Sequence, residues 1–144
     1  MTSFFQKKDR PSLRYNLRME KNEGWQRKVQ QELAMAHQAR REGNEGQARV
    51  CARRAAGFAA EAYFQQRGFD PPAHNAYQLL ERLGEEGHLP DPVRETLSLL
   101  TLRVNKAFEL PPGVDLIRES KKLIRVLFPD ERLDLEVDQG DAHE

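Results

Sequence analysis

Five arginines surround the segment Gly43-Asn44-Glu45-Gly46, and their guanidinium groups could bind the phosphates of RNA or of a nucleotide. They are Arg40 and Arg41 before the segment and Arg49, Arg53 and Arg54 after it. A solvated face whose arginines pair with Glu42, Glu45 or Glu61 is the favoured alternative, because no aromatic side chains alternate with the arginines as single-strand binding requires. Together with Arg103, the cluster is the candidate nucleic-acid site that the sequence offers.

One arginine of this cluster is expected to be partly buried. Arg53 and Arg54 are adjacent and lie among alanines on the same helix, so one of them must be close to the alanine face. A buried guanidinium needs a carboxylate partner. Glu61 is two turns from Arg54 and too distant for a direct pair, so we expect that partner on another helix.

The histidines and the single cysteine show no metal-ligand spacing. The histidines are His37, His74, His88 and His143, and no two of them are four residues apart. Cys51 has no CxxC companion, so we predict neither a metal site nor a cofactor. Cys51 can form no internal disulfide and is expected to be a small buried hydrophobic residue in a reducing cytoplasm.

The arginines are carried by a predicted helical hairpin from Trp25 to Gly68. Its first helix should begin near residues 22–24, with Trp25, Val29, Leu33 and Ala36 on one face. Gly43 is a natural C-cap, and the second helix should run from about Glu45 to Arg67. That second arm is rich in alanine and almost lacks large apolar residues, which predicts a central helix approached closely by its neighbours.

Three shorter helices are predicted after Pro71-Pro72. They cover about residues 73–84, residues 91–104 and residues 114–127. Asp91-Pro92 is a typical helix start, and Leu116, Ile117, Ser120, Leu123, Ile124 and Leu127 form an apolar stripe on the last helix. The fold class is therefore predicted to be all-α, an antiparallel bundle of about five helices led by the long hairpin.

The two ends of the chain have opposite charge and a different periodicity. Residues 1–21 form a basic extension with a net charge of +4, residues 22–128 form the helical domain, and residues 129–144 form an acidic tail with a net charge of −6. Residues 13–19 and 133–138 alternate apolar and polar side chains, as strands do. Two outcomes stay open: a two-strand ribbon within one chain or between two, or disordered charged tails.

Targeting signals are not visible in the sequence. Charged residues appear by Lys7, no apolar run precedes them, and no segment approaches the ~20 apolar residues that cross a bilayer. The charges of the whole chain balance to zero and residues 22–128 carry about +2, which is too little to imply nucleic-acid binding by bulk charge. We therefore expect a cytoplasmic protein without membrane contact.

Four segments resemble those of a known family. They are a helix with a following Gly-Asn turn, an alanine- and glutamate-rich helix end, a link with a histidine and a leucine pair, and a closing helix: Trp25–Ala39, Ala59–Gly68, Pro71–Leu80 and Asp115–Ile124. In this order they resemble the HEPN domain (higher eukaryotes and prokaryotes nucleotide-binding) over more than two thirds of the chain. The resemblance implies a helical bundle, a homodimer, and a partner such as a nucleotidyltransferase-like protein, a nucleotide or RNA.

Catalytic members of the HEPN family carry an arginine followed, after four to six residues, by a histidine. The best-placed match here is Arg103, but Phe108 stands where the histidine would be. Phenylalanine cannot exchange a proton, so general acid-base catalysis is lost. A second match, from Arg67 to His74, lies in a linker and is attributed to chance. No catalytic residue is therefore predicted.

The sequence favours a non-catalytic HEPN-like module for protein interaction, for nucleotide or RNA binding, or for both. One alternative is a HEPN-type ribonuclease or toxin with a degenerate site, in which Arg103 works with Asn105 or Lys106 as a surrogate acid. Another is a tetratricopeptide-like protein-binding scaffold, since the hairpin resembles one such unit. A real array needs several repeats of ~34 residues, and no second copy is found.

Overall fold

The computed structural model describes residues 11–102, 113–131 and 133–135, and side chains from residue 24 onward. These residues form five α-helices and no strand: α1 Pro11–Arg41, α2 Glu45–Gln66, α3 Ala76–Gly84, α4 Asp91–Leu100 and α5 Leu116–Leu127. The predicted all-α class with about five helices is confirmed. None of the described helices is both long and apolar enough to cross a membrane.

The turn between α1 and α2 has the chemistry that the sequence predicts. Gly43 has a φ of 79°, a left-handed conformation that glycine adopts without strain. The Asn44 N–H donates to the carbonyl of Ala39 at 2.8 Å. The Asn44 side chain then caps α2 by accepting a hydrogen bond from the Gln47 N–H. The chain therefore reverses within three residues, and α2 begins at Glu45 as expected.

Helix α2 is buried on most of its surface and packs against α1, α3 and α5. Its buried residues are mostly alanines, so the neighbouring backbones come close without large side chains between them. The closest approach at a glycine is at Gly57, where an added Cβ would lie 2.6 Å from the Cβ of Ala76 on α3. The small-residue helix thus contacts three of the other four described helices.

The three shorter helices begin and end near the predicted residues. Asn75, which is extended, caps α3 with its side chain, so this helix starts three residues later than expected. Helix α4 ends at Leu100 rather than near residue 104. Asp115 caps α5 through the N–H groups of Ile117 and Arg118. The predicted apolar stripe of α5 is buried against α2 and α4.

The prediction of strand periodicity for residues 13–19 at the N-terminal end is wrong. Residues 13–19 belong to α1, which begins at Pro11 and not near residues 22–24. Alternation over seven residues also places Leu13 four residues before Leu17, and Tyr15 four residues before Met19, a spacing that suits a helix. Because Pro11 can occupy the first turn of a helix, nothing in the sequence forces a later start.

The C-terminal segment packs on side chains of α1 and forms no strand over residues 133–135. The rings of Trp25 and Phe128 lie 4.2 Å apart between centroids. Gln26 donates to Glu131, and Gln30 donates to the backbone carbonyl of Asp134. The rest of the predicted strand, residues 136–138, lies outside the described residues, so the predicted ribbon has no support here.

Candidate functional site: the arginine cluster and the outer face of the hairpin

Arg40 joins the end of α1 to the starts of α2 and α5. Its guanidinium bonds both carboxylate oxygens of Glu45, at 3.1 and 2.6 Å, and lies 3.1 Å from Asp115 Oδ1. The hydrogen bond to Glu45, only partly opposed by burial, raises the pKa of Arg40. Burial alone would raise the pKa of Asp115, but the hydrogen bonds from Arg40 and from the Arg118 N–H, together with the charges of these two arginines, outweigh burial and lower the pKa. Two carboxylates thus neutralise this arginine.

Arg53 binds the end of α4. Its Nε and Nη2 donate to the backbone carbonyls of Leu100 and Leu102, each at 2.7 Å. The last carbonyls of a helix lack intrahelical partners, so a half-buried arginine that bonds two carbonyls here satisfies groups that burial would leave unpaired. Arg53 therefore stabilises the fold where α4 ends.

Arg54 points away from Arg53, toward α1. Its Nη2 lies 3.3 Å from Oε2 of Glu32, a residue that is 7% exposed. The sequence led us to expect a carboxylate on another helix for the partly buried arginine, but the ion pair is made by the exposed Arg54, whereas the half-buried Arg53 donates to two carbonyls. Arg54 itself keeps about half of its side chain in water, whereas the carboxylate is almost fully covered. The pair therefore marks the point where α1 and α2 meet at the surface.

The remaining candidate arginines do not join these three in one patch. Arg41 is exposed and donates to Gln38 at 2.6 Å. Arg49 is half-buried and lies one helical turn before Arg53. Arg103 lies outside the described residues. Since Arg40, Arg53 and Arg54 are directed toward α5, α4 and α1, the cluster seen in the sequence separates into different contacts in the structure.

Beside the Glu32–Arg54 pair, α1 and α2 form one continuous surface. Lys28 lies one turn before Glu32, and its Nζ is 5.3 Å from the ring centroid of Phe58, one turn after Arg54. On the other side of the pair, Met35 and Val50 are 39% and 42% exposed. We call this surface the outer face and define it by Lys28, Glu32, Met35, Val50, Arg54 and Phe58.

The outer face is not among the sites that the sequence predicts. Its signal on α2 is the run Val50, Arg54 and Phe58, at steps of four residues, which places them along one side of a helix. The alanine-rich remainder of α2 hides this run, because Val50 and Phe58 look like core residues in a buried helix. Only the pairing of α1 with α2 shows that none of the helices among the described residues covers this side.

An open cavity of about 220 Å³ adjoins the outer face between α2 and the start of α3. Arg54 and Phe58 belong to both surfaces. Its small or apolar lining residues are Gly57, Ala73, Ala76 and Leu79. Its polar rim consists of Glu61, His74 and Asn75. We call it the α2–α3 cavity. The cavity has apolar walls and a rim of acidic, basic and neutral polar side chains, and it contains no cluster of like charges.

Cys51 is fully buried in the seam between the two long helices. Burial raises the pKa of its thiol, and the nearby Glu32 carboxylate acts in the same direction, while a hydrogen bond from Gln47 opposes the shift. A protonated, covered thiol is a poor nucleophile. The predicted role of Cys51 as a small buried hydrophobic residue therefore agrees with its position.

A second polar contact that the sequence does not reveal links α2 to the α3–α4 loop. The hydroxyl of Tyr63 lies 3.2 Å from Nε2 of His88, and the guanidinium of Arg67 stacks 3.6 Å from the Tyr63 ring centroid. Tyr63 is only 5% exposed, so its ring packs in the core while its hydroxyl contacts the loop.

Among the described residues, no three His, Cys, Asp or Glu side chains are placed to hold a metal ion.

Comparisons of the chain with models of known families, with curated proteins and with solved structures found no match. The resemblance to the HEPN domain therefore stays a prediction from the sequence. The geometry of the arginines, the outer face and the α2–α3 cavity is the basis for the function proposed below.

Proposed function

We propose that this chain is a cytoplasmic, non-catalytic helical module that binds protein, including a second copy of itself, through the outer face. The observation that supports it is the pair of exposed apolar side chains, Met35 and Val50, beside the Glu32–Arg54 ion pair. Protein interfaces combine apolar side chains, arginine and aromatic residues in this way. The outer face also carries an arginine, Arg54, and an aromatic residue, Phe58.

The contacts of the arginines support protein binding over RNA binding. A phosphate needs guanidinium groups with free donors and uncompensated charge. Arg40 shares its charge with two carboxylates, Arg53 donates to two carbonyls, and Arg54 pairs with Glu32. Releasing any of them toward a phosphate would break a contact that stabilises the fold. Nucleotide or RNA binding is thus the weaker candidate.

The other functions considered from the sequence have less support. A ribonuclease that uses Arg103 would lack the family's histidine, since Phe108 occupies that position. A tetratricopeptide-like scaffold needs repeated hairpins, and α3 and α4 have nine and ten residues against 31 and 22 in the first hairpin. By the HEPN resemblance, a nucleotidyltransferase-like protein is the first partner class to test beyond a second copy.

The choice between protein and RNA can be tested by fluorescence anisotropy with a short labelled single-stranded RNA at low salt. We expect no saturable binding by the wild-type chain, and no change in the double variant Arg41→Ala/Arg49→Ala. Arg41 is in the last turn of α1 and Arg49 is in the first turns of α2, so the variant removes two positive charges from the end of the hairpin where the arginines are concentrated. Saturable binding that weakens in this variant would contradict the proposal. RNA cleavage lost on Arg103→Ala would instead support the ribonuclease.

A further inference from the structure

The outer face presents positive charge to water, although it contains a carboxylate. Lys28 and Arg54 are exposed, whereas Glu32 is only 7% exposed. Among the described residues no carboxylate pairs with Lys28, whose Nζ lies over the ring of Phe58 instead. Glu61, on the cavity rim, forms no ion pair with either cation in the described part of the chain. An acidic segment is therefore the occupant whose charge suits this surface.

The chain carries an acidic segment directly after its last described residue. We call residues 136–144 the acidic segment. It contains no lysine or arginine, and its four carboxylates are Glu136, Asp138, Asp141 and Glu144. Its apolar residues, Val137 and Ala142, are small enough to lie against Met35 and Val50 while the carboxylates stay near the cations. The segment thus matches both the charge and the apolar part of the outer face.

The path of the preceding residues leads toward that face. Gln30 of α1 donates to the backbone carbonyl of Asp134, and Ala34, one turn later, is only 2% exposed. Met35 lies about 140° around α1 from Gln30, so a backbone running ~10 Å from the helix axis needs a path of roughly 26 Å between them. The residues from 136 to 144 can extend to about 30 Å. The far end of the acidic segment therefore reaches the outer face of its own chain.

We infer that the acidic segment binds the outer face of its own chain and competes there with the protein partner. Its carboxylates lie beside Lys28, which has no other charged partner in the described residues, so the Glu32–Arg54 pair stays intact. Even a weak contact suffices, because a tethered segment has a high effective concentration at a site within its reach. The inference rests on the proposed function, since it describes how binding at that surface is regulated.

Intrachain crosslinking tests the location of the acidic segment. In a Cys51→Ala background, one chain carries Met35→Cys together with Ala142→Cys, and a control chain carries Val126→Cys together with Ala142→Cys. Oxidation at a protein concentration where the chain is monomeric keeps the reaction within one molecule. We expect the disulfide to Met35→Cys to form about tenfold faster than the disulfide to Val126→Cys.

The control position is matched in exposure and lies nearer to the start of the segment. Val126 is 46% exposed, against 39% for Met35. Its neighbours Ile124 and Arg125 line one cavity together with Leu135, the last described residue. A segment with no preference for the outer face would crosslink to Val126→Cys at least as fast. Equal or slower crosslinking to Met35→Cys would therefore overturn the inference.

A pair of charge reversals tests the attraction to Lys28. Lys28→Glu should slow the crosslinking of Met35→Cys to Ala142→Cys severalfold. Arg27→Glu makes the same change of net charge one residue earlier and about 100° around α1, so it should leave this rate nearly unchanged. Equal effects of the two reversals would show that net charge alone matters, which would contradict binding at the outer face.

Self-association separates this inference from the proposed function. Val50→Glu should weaken it, and the neutralised segment Asp138→Asn/Asp141→Asn/Glu144→Gln should strengthen it, because the competitor is removed. If crosslinking prefers Met35→Cys but Val50→Glu leaves self-association unchanged, the segment binds as inferred and the proposed interface with a second copy fails. If Val50→Glu weakens self-association but crosslinking shows no preference, the interface stands and the inference is overturned.

Discussion

Replacing Gly57 by alanine tests the contact between α2 and α3 that forms the floor of the cavity. The added Cβ would lie 2.6 Å from the Cβ and 3.0 Å from the Cα of Ala76. Real Cβ atoms do not approach so closely, and the Cα of Ala76 belongs to the backbone, so no side chain can rotate away. Helix α3 must move as a whole, and part of its packing on α2 is lost.

The size of the effect follows from two opposing contributions. Overpacking of this kind costs up to about 3 kcal/mol. Alanine is favoured over glycine inside a helix by about 1 kcal/mol. The net loss of unfolding free energy should therefore be about 2 kcal/mol, which lowers the melting temperature of a chain of this size by roughly 4–8 °C.

Gly24 provides the matched control. It lies inside α1, and a Cβ added there meets nothing within 4 Å. Gly24→Ala should therefore stabilise the chain by up to about 1 kcal/mol. In urea unfolding followed by circular dichroism, the two variants should shift the midpoint in opposite directions. Adding Ala76→Gly to Gly57→Ala should restore part of the loss. A Gly57→Ala variant that stabilises as Gly24→Ala does would refute the α2–α3 contact.

Three further outcomes follow from the polar contacts. Arg53→Met should lower the unfolding free energy by about 1–3 kcal/mol in urea, because it leaves the carbonyls at the end of α4 unpaired, and an unchanged midpoint would contradict that contact. Asp115 has a lowered pKa in the folded chain, so it adds stability above its ordinary value of 3.8 that disappears as the pH falls through the folded value. In unfolding measured at a series of pH values, Asp115→Asn should therefore be less stable than the wild type at neutral pH, and this difference should shrink only below about pH 4; a difference that is equal at every pH would exclude a role for the charge. Cys51, whose pKa is raised mainly by burial, should react with a thiol reagent only after denaturation, and rapid labelling of the folded chain would show that the α1–α2 seam is open.

The local features of the fold could be predicted from the sequence. The turn at Gly43, the burial of the alanine-rich α2 and the apolar stripe of α5 each depend on residues within a few positions of one another. Hydrophobic periodicity and capping residues report such features directly. The start of α1 was missed because a seven-residue alternation is compatible with a strand and with a helix.

The contacts that define the candidate site could not be predicted in the same way. Arg54 and Glu32 are 22 residues apart, and their pairing depends on the register of α1 against α2. Arg53 bonds carbonyls 47 and 49 residues away, at a helix end whose position was itself misjudged. The arginines are close together in the sequence and therefore suggested one anion site. Adjacent residues on a helix point about 100° apart, however, so Arg53 and Arg54 contact different helices.

The proposed function requires this chain to bind protein, a second copy included, and not nucleic acid. We would test this by size-exclusion chromatography with light scattering on protein purified without nuclease, reading the mass together with the 260/280 nm absorbance ratio. We expect protein free of nucleic acid, with a mass that rises from one chain toward two as the concentration increases. A chain that stays monomeric at every concentration, or that elutes with bound nucleic acid, would contradict the claim.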